Sequence, residues 1–170
     1  RNIVVDSSIH ENTINALTTI EKKVSSCHEC ELFKTRRNTV FGEGNSKALL
    51  MFIGEAPGLE EDIQGKPFVG KAGQLLNKSI EAIGIKLEDV YIANCLKCRP
   101  PKNRAPLPSE IAACRNYLFQ QIDIVKPMII CCLGRPAAQT LLMTDASISK
   151  VRGNFYDFNG ITVMPTFHPA

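Results

Sequence analysis

Residues 47–73 read KALLMFIGEAPGLEEDIQGKPFVGKAG. The apolar run at 48–53 predicts a strand that is buried on both faces of a sheet. Glycine and proline at 54–58 then predict a tight turn, and Glu55 and Glu61 follow where an α/β sheet holds its ligands, beyond the carboxyl end of a strand. These acidic residues are therefore candidate catalytic residues. The alternative is that residues 60–62 are only the acidic first turn of a helix, where acids stabilise the helix dipole.

The composition is that of a globular protein. With 170 residues and 44% hydrophobic content, residues 1–170 are expected to form one domain with its own core. The net charge of +3 permits a polyanionic partner. No apolar run reaches membrane-spanning length, so we expect a cytoplasmic protein without membrane contact. The chain stops at residues 167–170 without a closing helix, and we expect a C-terminal piece to be missing.

Strand and helix patterns alternate after residue 47. Helices are predicted at 9–26, 72–83, 108–122 and 136–143, and strands at 48–53, 90–93 and 128–133, with a hairpin of 153–158 and 161–164. This order predicts a three-layer αβα domain with a central, mostly parallel four-stranded sheet. Nucleotide-binding glycine motifs are excluded, because Gly42 and Gly44 precede the first strand instead of following it.

Seven cysteines are too many for a reducing compartment unless some of them bind metal. Cys27 and Cys30 form a C-x-x-C pair, which zinc sites and thioredoxin-like redox pairs share. The redox interpretation is weak, because no strand precedes the pair. Cys131 and Cys132 are adjacent in a strand and point to opposite faces, so we interpret them as core thiols. Cys114 on the inner face of its helix fits a core position as well.

The second strand ends at Asn94 and is followed by CLKCRPPKNR, a loop rich in proline and basic residues. An asparagine at a strand end offers both a donor and an acceptor, as reading the edge of a base requires. The alternative is that Asn94 only caps the turn. The basic residues, in turn, are either phosphate contacts or solvated surface charges.

These blocks together resemble the family 4 uracil-DNA glycosylases, which carry a 4Fe-4S cluster. The resemblance covers nearly the whole chain, from Cys27 to His168. It is carried by GEAPG at 54–58 with Glu61 and Asp62, GKPFVGKAG at 65–73, Asn94 with KCRPP at 97–101 and Asn103-Arg104, and His168-Pro169. It implies a DNA repair enzyme that turns uracil out of DNA, hydrolyses the N-glycosidic bond, leaves an abasic site and so starts base excision repair.

The resemblance also implies a ligand set and partners. The cluster would be held by Cys27, Cys30, Cys98 and Cys114, which leaves Cys95, Cys131 and Cys132 as bystanders. Iron-sulfur clusters use such all-thiolate ligation, although zinc held by the same four thiolates is chemically possible. The expected partner is uracil-containing DNA, single- or double-stranded, and the protein is expected to act as a monomer in a prokaryotic cytoplasm.

By the same resemblance, the uracil pocket is lined by Gly54, Ala56, Phe68 and Asn94. Phe68 would stack on the extruded uracil, and Asn94 would hydrogen-bond its Watson-Crick edge and exclude cytosine. His168 would donate a hydrogen bond to the uracil carbonyl on which negative charge accumulates.

The residue that activates water is less defined by the resemblance. Glycosylases of a related family carry an aspartate at the position of Ala56, so that base is absent here. Glu61 and Asn103 are the candidates for placing or activating water. Glu55 is expected to shape the pocket and the field that favours a cationic sugar.

Phosphate contacts and rival functions complete the predictions. The basic residues expected to meet phosphates are Lys34, Arg36, Arg37, Lys97, Arg99, Lys102 and Arg104. The alternative function is a non-catalytic iron-sulfur or zinc DNA-binding module of the same fold. A relative that traps DNA covalently would need a basic insert with a histidine, where residues 64–67 run straight on here. Hypoxanthine and other deaminated bases are further possible substrates.

Overall fold

The computed structural model describes residues 7–170, with side chains from residue 8 onward. Within this range the strands form one mixed sheet in the order β1-β3-β2-β4-β6-β5. The strands are β1 (Glu43–Gly44), β2 (Leu50–Gly54), β3 (Val90–Asn94), β4 (Ile129–Leu133), β5 (Tyr156–Phe158) and β6 (Ile161–Thr166). The four inner strands are parallel, and the edge strands β1 and β5 are antiparallel to their neighbours.

Six α-helices accompany the sheet in the described range: α1 (Ser7–Ser25), α2 (Leu59–Gln64), α3 (Lys71–Ala82), α4 (Pro108–Val125), α5 (Arg135–Leu142) and α6 (Ile148–Val151). Three short 3-10 helices lie at Glu31–Lys34, Leu87–Asp89 and Pro101–Asn103. Helix α1 occupies the region where the sequence predicts a helix at 9–26. No helix of residues 7–170 is both long enough and apolar enough to cross a bilayer.

Side-chain alternation in the sheet builds a core on each of its faces. Met51 and Ile53 of β2 lie in the larger core with α1, α4 and α5, while Phe52 lies in the smaller core with α3. Cys132 and Cys131 of β4 divide between the same two cores, as their adjacency predicts. The three-layer αβα prediction is therefore confirmed.

The predicted strand number is wrong, because the sheet has six strands and not four. The two additional strands lie at the edges. The sequence does not predict β1, because it has only two residues, both exposed, and shows no apolar run. β5 is the first arm of the predicted hairpin, which pairs with β6 and so belongs to the sheet. The predicted hairpin joins β5 to β6, with positive φ at Asn159 and Gly160 as a type I′ turn requires.

The chain leaves β2 and β4 in opposite directions, and this opens a crevice at one edge of the sheet. The connection after β2 leads to α3 on one face, and the connection after β4 leads to α5 on the other face. Ligand sites of open α/β sheets form in such crevices, beyond the carboxyl ends of the strands. The loops after β3 and β6 end at the same edge, because these strands are parallel to β2 and β4.

Candidate active site and cysteine pocket

A cavity of about 390 Å³ opens at the carboxyl ends of the parallel strands. Seven residues that the sequence singles out lie in its wall: Glu55, Ala56, Glu61, Phe68, Asn94, Asn103 and His168. They come from the region between β2 and α3, the end of β3, the loop before α4 and the residues after β6, and the fold brings these four parts of the chain together. An eighth, Gly54, lies directly against two of them.

Gly54 allows a close approach of two side chains within the site. It pairs with Asn94 across β2 and β3, and a Cβ at Gly54 would lie 2.4 Å from Asn94 Oδ1 and 2.6 Å from Phe68 Cζ. Any side chain at this position would therefore displace the amide or the ring. Only glycine leaves both in place.

The side-chain amide of Asn94 is available to a ligand. The residue is only 2% exposed, yet its amide makes no hydrogen bond within residues 7–170. No fully buried polar side-chain atom of this range lacks a partner, so the unpaired amide opens onto the cavity that it lines. Its main-chain carbonyl accepts a hydrogen bond from Lys97 Nζ at 2.9 Å, which fixes the end of β3. The turn-capping alternative is not what the side chain does here.

Phe68 is held in an uncommon backbone conformation. Its φ of 50° lies in the left-handed region, which costs energy for a residue with a side chain and clusters at functional sites. The buried ring lies 5.9 Å from the His168 ring, with an angle of 31° between their planes. Gly73 of α3 approaches the Phe68 carbonyl so closely that a Cβ there would lie 1.8 Å from the oxygen. The loop around Phe68 is thus clamped by the start of α3.

Glu61 stabilises this loop through both of its carboxylate oxygens. Oε1 accepts hydrogen bonds from the main-chain N–H groups of Val69 (3.0 Å) and Gly70 (2.9 Å), and Oε2 accepts one from Gly58 N–H at 3.1 Å. The carboxylate therefore joins the turn after β2 to the residues that follow Phe68. Both carboxylate oxygens are thus engaged by main-chain donors, in contrast to a carboxylate without protein partners.

Glu55 contrasts with Glu61 although both line the cavity. Its half-buried carboxylate makes no hydrogen bond within the described range, and burial raises its pKa above the ordinary value. Its main-chain carbonyl accepts from Leu96 N–H at 3.0 Å, which sets the position of the residue. A carboxylate without protein partners at the mouth of a strand is free to act on a ligand.

His168 follows β6 and is half-buried in the cavity wall. Its Nδ1 accepts a hydrogen bond from Ala170 N–H at 3.1 Å, which requires a lone pair on Nδ1. Burial lowers the pKa of the ring, so the neutral form is favoured. The proton of the neutral ring then lies on Nε2, where it can be donated.

The loop that contains Asn103 and Arg104 also lines the cavity. Asn103 Oδ1 accepts from Arg99 Nε at 2.7 Å, which leaves the amide NH₂ as a donor. Arg104 forms a two-bond ion pair with Glu110 of α4, at 2.9 and 2.6 Å, and this pair lowers the pKa of Glu110. Glu110 also accepts from Leu107 N–H at the start of α4. Sequence reasoning did not identify this anchor, although an acid three residues into a helix is a capping signal.

The four cysteines that the resemblance singles out line one pocket on the far side of the β3 end. Cys27 and Cys30 follow α1, Cys98 follows β3, and Cys114 lies in α4. All seven cysteines are free thiols, and the other three are buried among the hydrophobic residues of the two main cores. The fold thus gathers cysteines from three separate segments.

The pocket is also lined by two cations. Arg36 Nη1 donates to Cys98 Sγ at 3.3 Å, and the side chain of Lys97 is buried beside the cysteines. Burial raises the pKa of the Cys98 thiol, and it raises that of Cys114 to about 12. Among residues 7–170, no three Cys, His, Asp or Glu side chains converge closely enough to hold a single metal ion.

The predicted phosphate contact of Lys97 is wrong. Its side chain is fully buried, with 1% of the residue exposed, and its ammonium group donates to Asn94 O and Gln121 Oε1. The residue lies in a basic loop of the sequence but points into the protein. Arg36, half-buried, is likewise directed to Cys98 and to main-chain carbonyls.

Comparison with known proteins identifies the family. The family model of the uracil DNA glycosylase superfamily matches residues 41–170. This chain belongs to that superfamily. Within it, the chain is 53% identical over 163 residues to a type-4 uracil-DNA glycosylase of Saccharolobus solfataricus, which covers 91% of this chain and 76% of the relative. Type-4 uracil-DNA glycosylases of Archaeoglobus fulgidus (44% identical; 92% of this chain, 83% of the relative) and Thermotoga maritima (48%; 89% and 80%) are also similar.

The superfamily match covers all of the cavity residues but begins after the first two cysteines of the pocket. The type-4 relatives cover about nine-tenths of the chain and so extend beyond that match. The uracil-DNA glycosylase fold and the cysteine pocket therefore fall within one continuous similarity.

Proposed function

We propose that this chain is a monofunctional uracil-DNA glycosylase. It would hydrolyse the bond between uracil and deoxyribose and leave an abasic site, the first step of base excision repair. The observation that carries this proposal is the unpaired Asn94 amide, which faces the same cavity as Phe68 and His168 in a member of the superfamily. The type-4 names of the similar relatives support it.

The cavity suits a planar base that has left the DNA stack. Extruding a base costs a few kcal/mol, which binding in the cavity must repay. Stacking on Phe68 contributes about 1–3 kcal/mol but discriminates little between bases. Asn94 supplies specificity, because its donor and acceptor match uracil and meet the wrong groups on cytosine. Gly54 and Ala56 keep the space above the strand end free for the ring.

His168 assists departure of the base. When the glycosidic bond breaks, uracil leaves as an anion with charge on its carbonyl oxygens. The neutral ring carries its proton on Nε2 and can donate a hydrogen bond to such an oxygen. A donor aimed at developing negative charge contributes about 2.7–4 kcal/mol in other enzymes.

Glu55 is the carboxylate best placed to act on the sugar and on water. Ionised, it stabilises a cationic sugar, and it can accept a proton from the attacking water, because no protein group occupies its oxygens. Asn103 can hold that water with its amide NH₂, since its oxygen is engaged by Arg99. Glu61 keeps the Phe68 loop in place. This distribution of roles moves the water-activating function from Glu61 to Glu55.

We further propose that Cys27, Cys30, Cys98 and Cys114 hold a 4Fe-4S cluster. The donor set fits, because four thiols from three segments line one pocket. All-thiolate ligation is what iron-sulfur clusters use, and zinc held by the same four thiolates is the alternative that metal analysis of the purified protein tests. When bound, the cluster would supply a structural link between the segment after α1, the loop after β3 and helix α4.

The substrate partner is uracil-containing DNA, single- or double-stranded, bound by a monomer. Exposed basic residues near the cavity, among them Lys102, are available for phosphates, so affinity should fall as salt is added. Cytoplasmic location is the remaining part of the proposal. It agrees with a repair role on prokaryotic DNA.

The test is incubation of the holoprotein with an oligonucleotide that carries one uracil, in single-stranded and duplex form, followed by alkaline cleavage. Cleavage at the uracil is expected, and none at cytosine or thymine. Asn94→Asp should slow excision, while Asn116→Asp, an exposed change on α4, should leave it unchanged. Tight binding of undamaged DNA without release of uracil would favour the non-catalytic module instead.

A further inference from the structure

Two cations, Lys97 and Arg36, border the cysteine pocket. Lys97 is 1% exposed, and its ammonium group donates to two neutral oxygens, Asn94 O at 2.9 Å and Gln121 Oε1 at 2.5 Å. Neither Lys97 nor Arg36 forms an ion pair with a carboxylate of residues 7–170. The fully buried Lys97 and the half-buried Arg36 would both be stabilised by negative charge from another source.

Arg36 connects two of the cysteine segments directly. Its Nη1 donates to Cys27 O at 2.9 Å and to Cys98 Sγ at 3.3 Å, and its Nη2 donates to Ser25 O at 3.3 Å. The main-chain N–H of Arg36 donates to the carbonyl oxygen of Leu32 at 3.1 Å, and the side chain of Leu32 is fully buried. The guanidinium thus spans from the end of α1 to the loop after β3.

Glu29 also lines the pocket but forms no ion pair with either cation within residues 7–170, so the sulfur atoms are the remaining source of negative charge there. Burying an ammonium or guanidinium group is unfavourable unless an opposite charge accompanies it. A protonated thiol carries no charge, so free thiols offer the two cations no counter-charge. Four thiolates on an iron-sulfur core outweigh the positive charge of the core, so the ligated group is anionic. The two cations and the four cysteines therefore complement each other only when the cysteines are ligated.

We propose that Arg36 and Lys97 are the counter-cations of the group held by the four cysteines. Arg36, through its bond to Cys98 Sγ, is the positioning residue that governs how firmly that group is retained and at which potential it is reduced. Hydrogen bonds to the sulfurs and nearby charge are the main determinants of cluster potential. This inference rests on the cluster assignment made under the proposed function.

The experiment compares Arg36→Met, Arg36→Lys and Arg36→Gln in the full holoprotein. Arg37→Met is the matched control, because Arg37 is the adjacent arginine, is exposed, and uses its main-chain N–H in its contact with Asp62. Iron and sulfide content, the rate at which a chelator bleaches the visible absorbance, and the midpoint potential of the cluster are measured for each variant.

Arg36→Met should lose its visible absorbance several-fold faster than the wild type. Its midpoint potential should shift to a more negative value, because reduction adds negative charge that the lost cation no longer offsets. Arg36→Lys should lie between the wild type and Arg36→Met, since it keeps the charge but not the three-acceptor geometry. Arg37→Met should match the wild type.

Equal bleaching rates and equal potentials in Arg36→Met and Arg37→Met would overturn the proposal. If Arg36→Met does not fold, Arg36→Gln decides in the same way, because it keeps a polar donor and removes only the charge. Wild-type protein that contains zinc or no metal would refute the cluster assignment itself, whatever the Arg36 variants show. The two failures are therefore distinguishable.

Discussion

Replacing Glu61 by glutamine separates the two roles that its position allows. As a general base, Glu61 would need a free carboxylate oxygen, and its loss would remove a titrating group from the reaction. As a structural anchor, it needs both oxygens as acceptors for Gly58, Val69 and Gly70. The substitution keeps the size of the side chain and changes one acceptor into a donor.

The expected cost follows from the three hydrogen bonds. Glutamine Oε1 can still accept from Val69 and Gly70, but its NH₂ then faces the N–H of Gly58, and one main-chain donor loses its partner. An unsatisfied donor costs about 1–3 kcal/mol, and the two remaining bonds lose the strength that a charged acceptor gives them. The free energy of unfolding should therefore fall by about 2–4 kcal/mol, or roughly 4–16 °C in Tm for a chain of this size.

The assay pairs thermal denaturation with single-turnover uracil release across a pH series. Glu61→Gln should melt earlier and react more slowly, because Phe68 is less firmly held, but the acid limb of its pH profile should keep the wild-type position. Glu60→Gln is the matched control, since Glu60 is exposed in the same helical turn. A Tm equal to that of Glu60→Gln, together with loss of the acid limb, would refute the anchoring role and restore Glu61 as the base.

Three further changes test the rest of the site. Glu55→Gln should slow excision and raise the melting temperature at neutral pH. Burial raises the pKa of Glu55, so above its native pKa the ionised carboxylate lowers the stability of the folded protein, and glutamine removes this penalty. An unchanged or lower melting temperature would contradict this. The free energy of unfolding of the wild type should fall as the pH drops from 6.5 towards the lower native pKa of His168, because in this range the unfolded chain binds a proton at this histidine that the folded protein does not. His168→Gln should show a smaller fall, and the same pH dependence of stability in both proteins would contradict this. Cys114→Ser should lose iron and visible colour while Cys131→Ser keeps both; equal loss from the two variants would disprove the ligand assignment.

The inner architecture could be predicted because burial leaves a pattern in sequence. Strands that are covered on both faces need unbroken apolar runs, and β2 and β4 show them clearly. β1 has two exposed residues and carries no such pattern, so its pairing with β3 follows only from the completed fold. Whether a short edge segment forms a strand depends more on pairing with the neighbouring strand than on its own side chains.

The residue types of the site could be predicted, but not their contacts. Glu55 and Glu61 lie in one motif and have the same chemistry, and only the folded loop shows that Glu61 is engaged by three main-chain donors. Lys97 lies among basic residues, and a lysine in such a run is normally solvated. Its burial depends on Gln121, which is 24 positions away and accepts from its ammonium group. Side-chain direction in a loop is a tertiary property that local sequence does not encode.

The five residues 94–98 connect the two halves of the proposed function. Asn94 opens onto the cavity, its carbonyl is held by Lys97 Nζ, and the main-chain N–H of Lys97 donates to Cys114 Sγ at 3.3 Å. Cys98 completes the segment in the cysteine pocket. Lys97 thus contacts Cys114 through its main chain and Asn94 through its side chain. A change in the cysteine pocket can therefore reach Asn94 through this one buried residue. If the cysteines hold the proposed cluster, its removal should therefore weaken discrimination between uracil and cytosine before it unfolds the sheet, whose main cores include neither Cys98 nor Cys114.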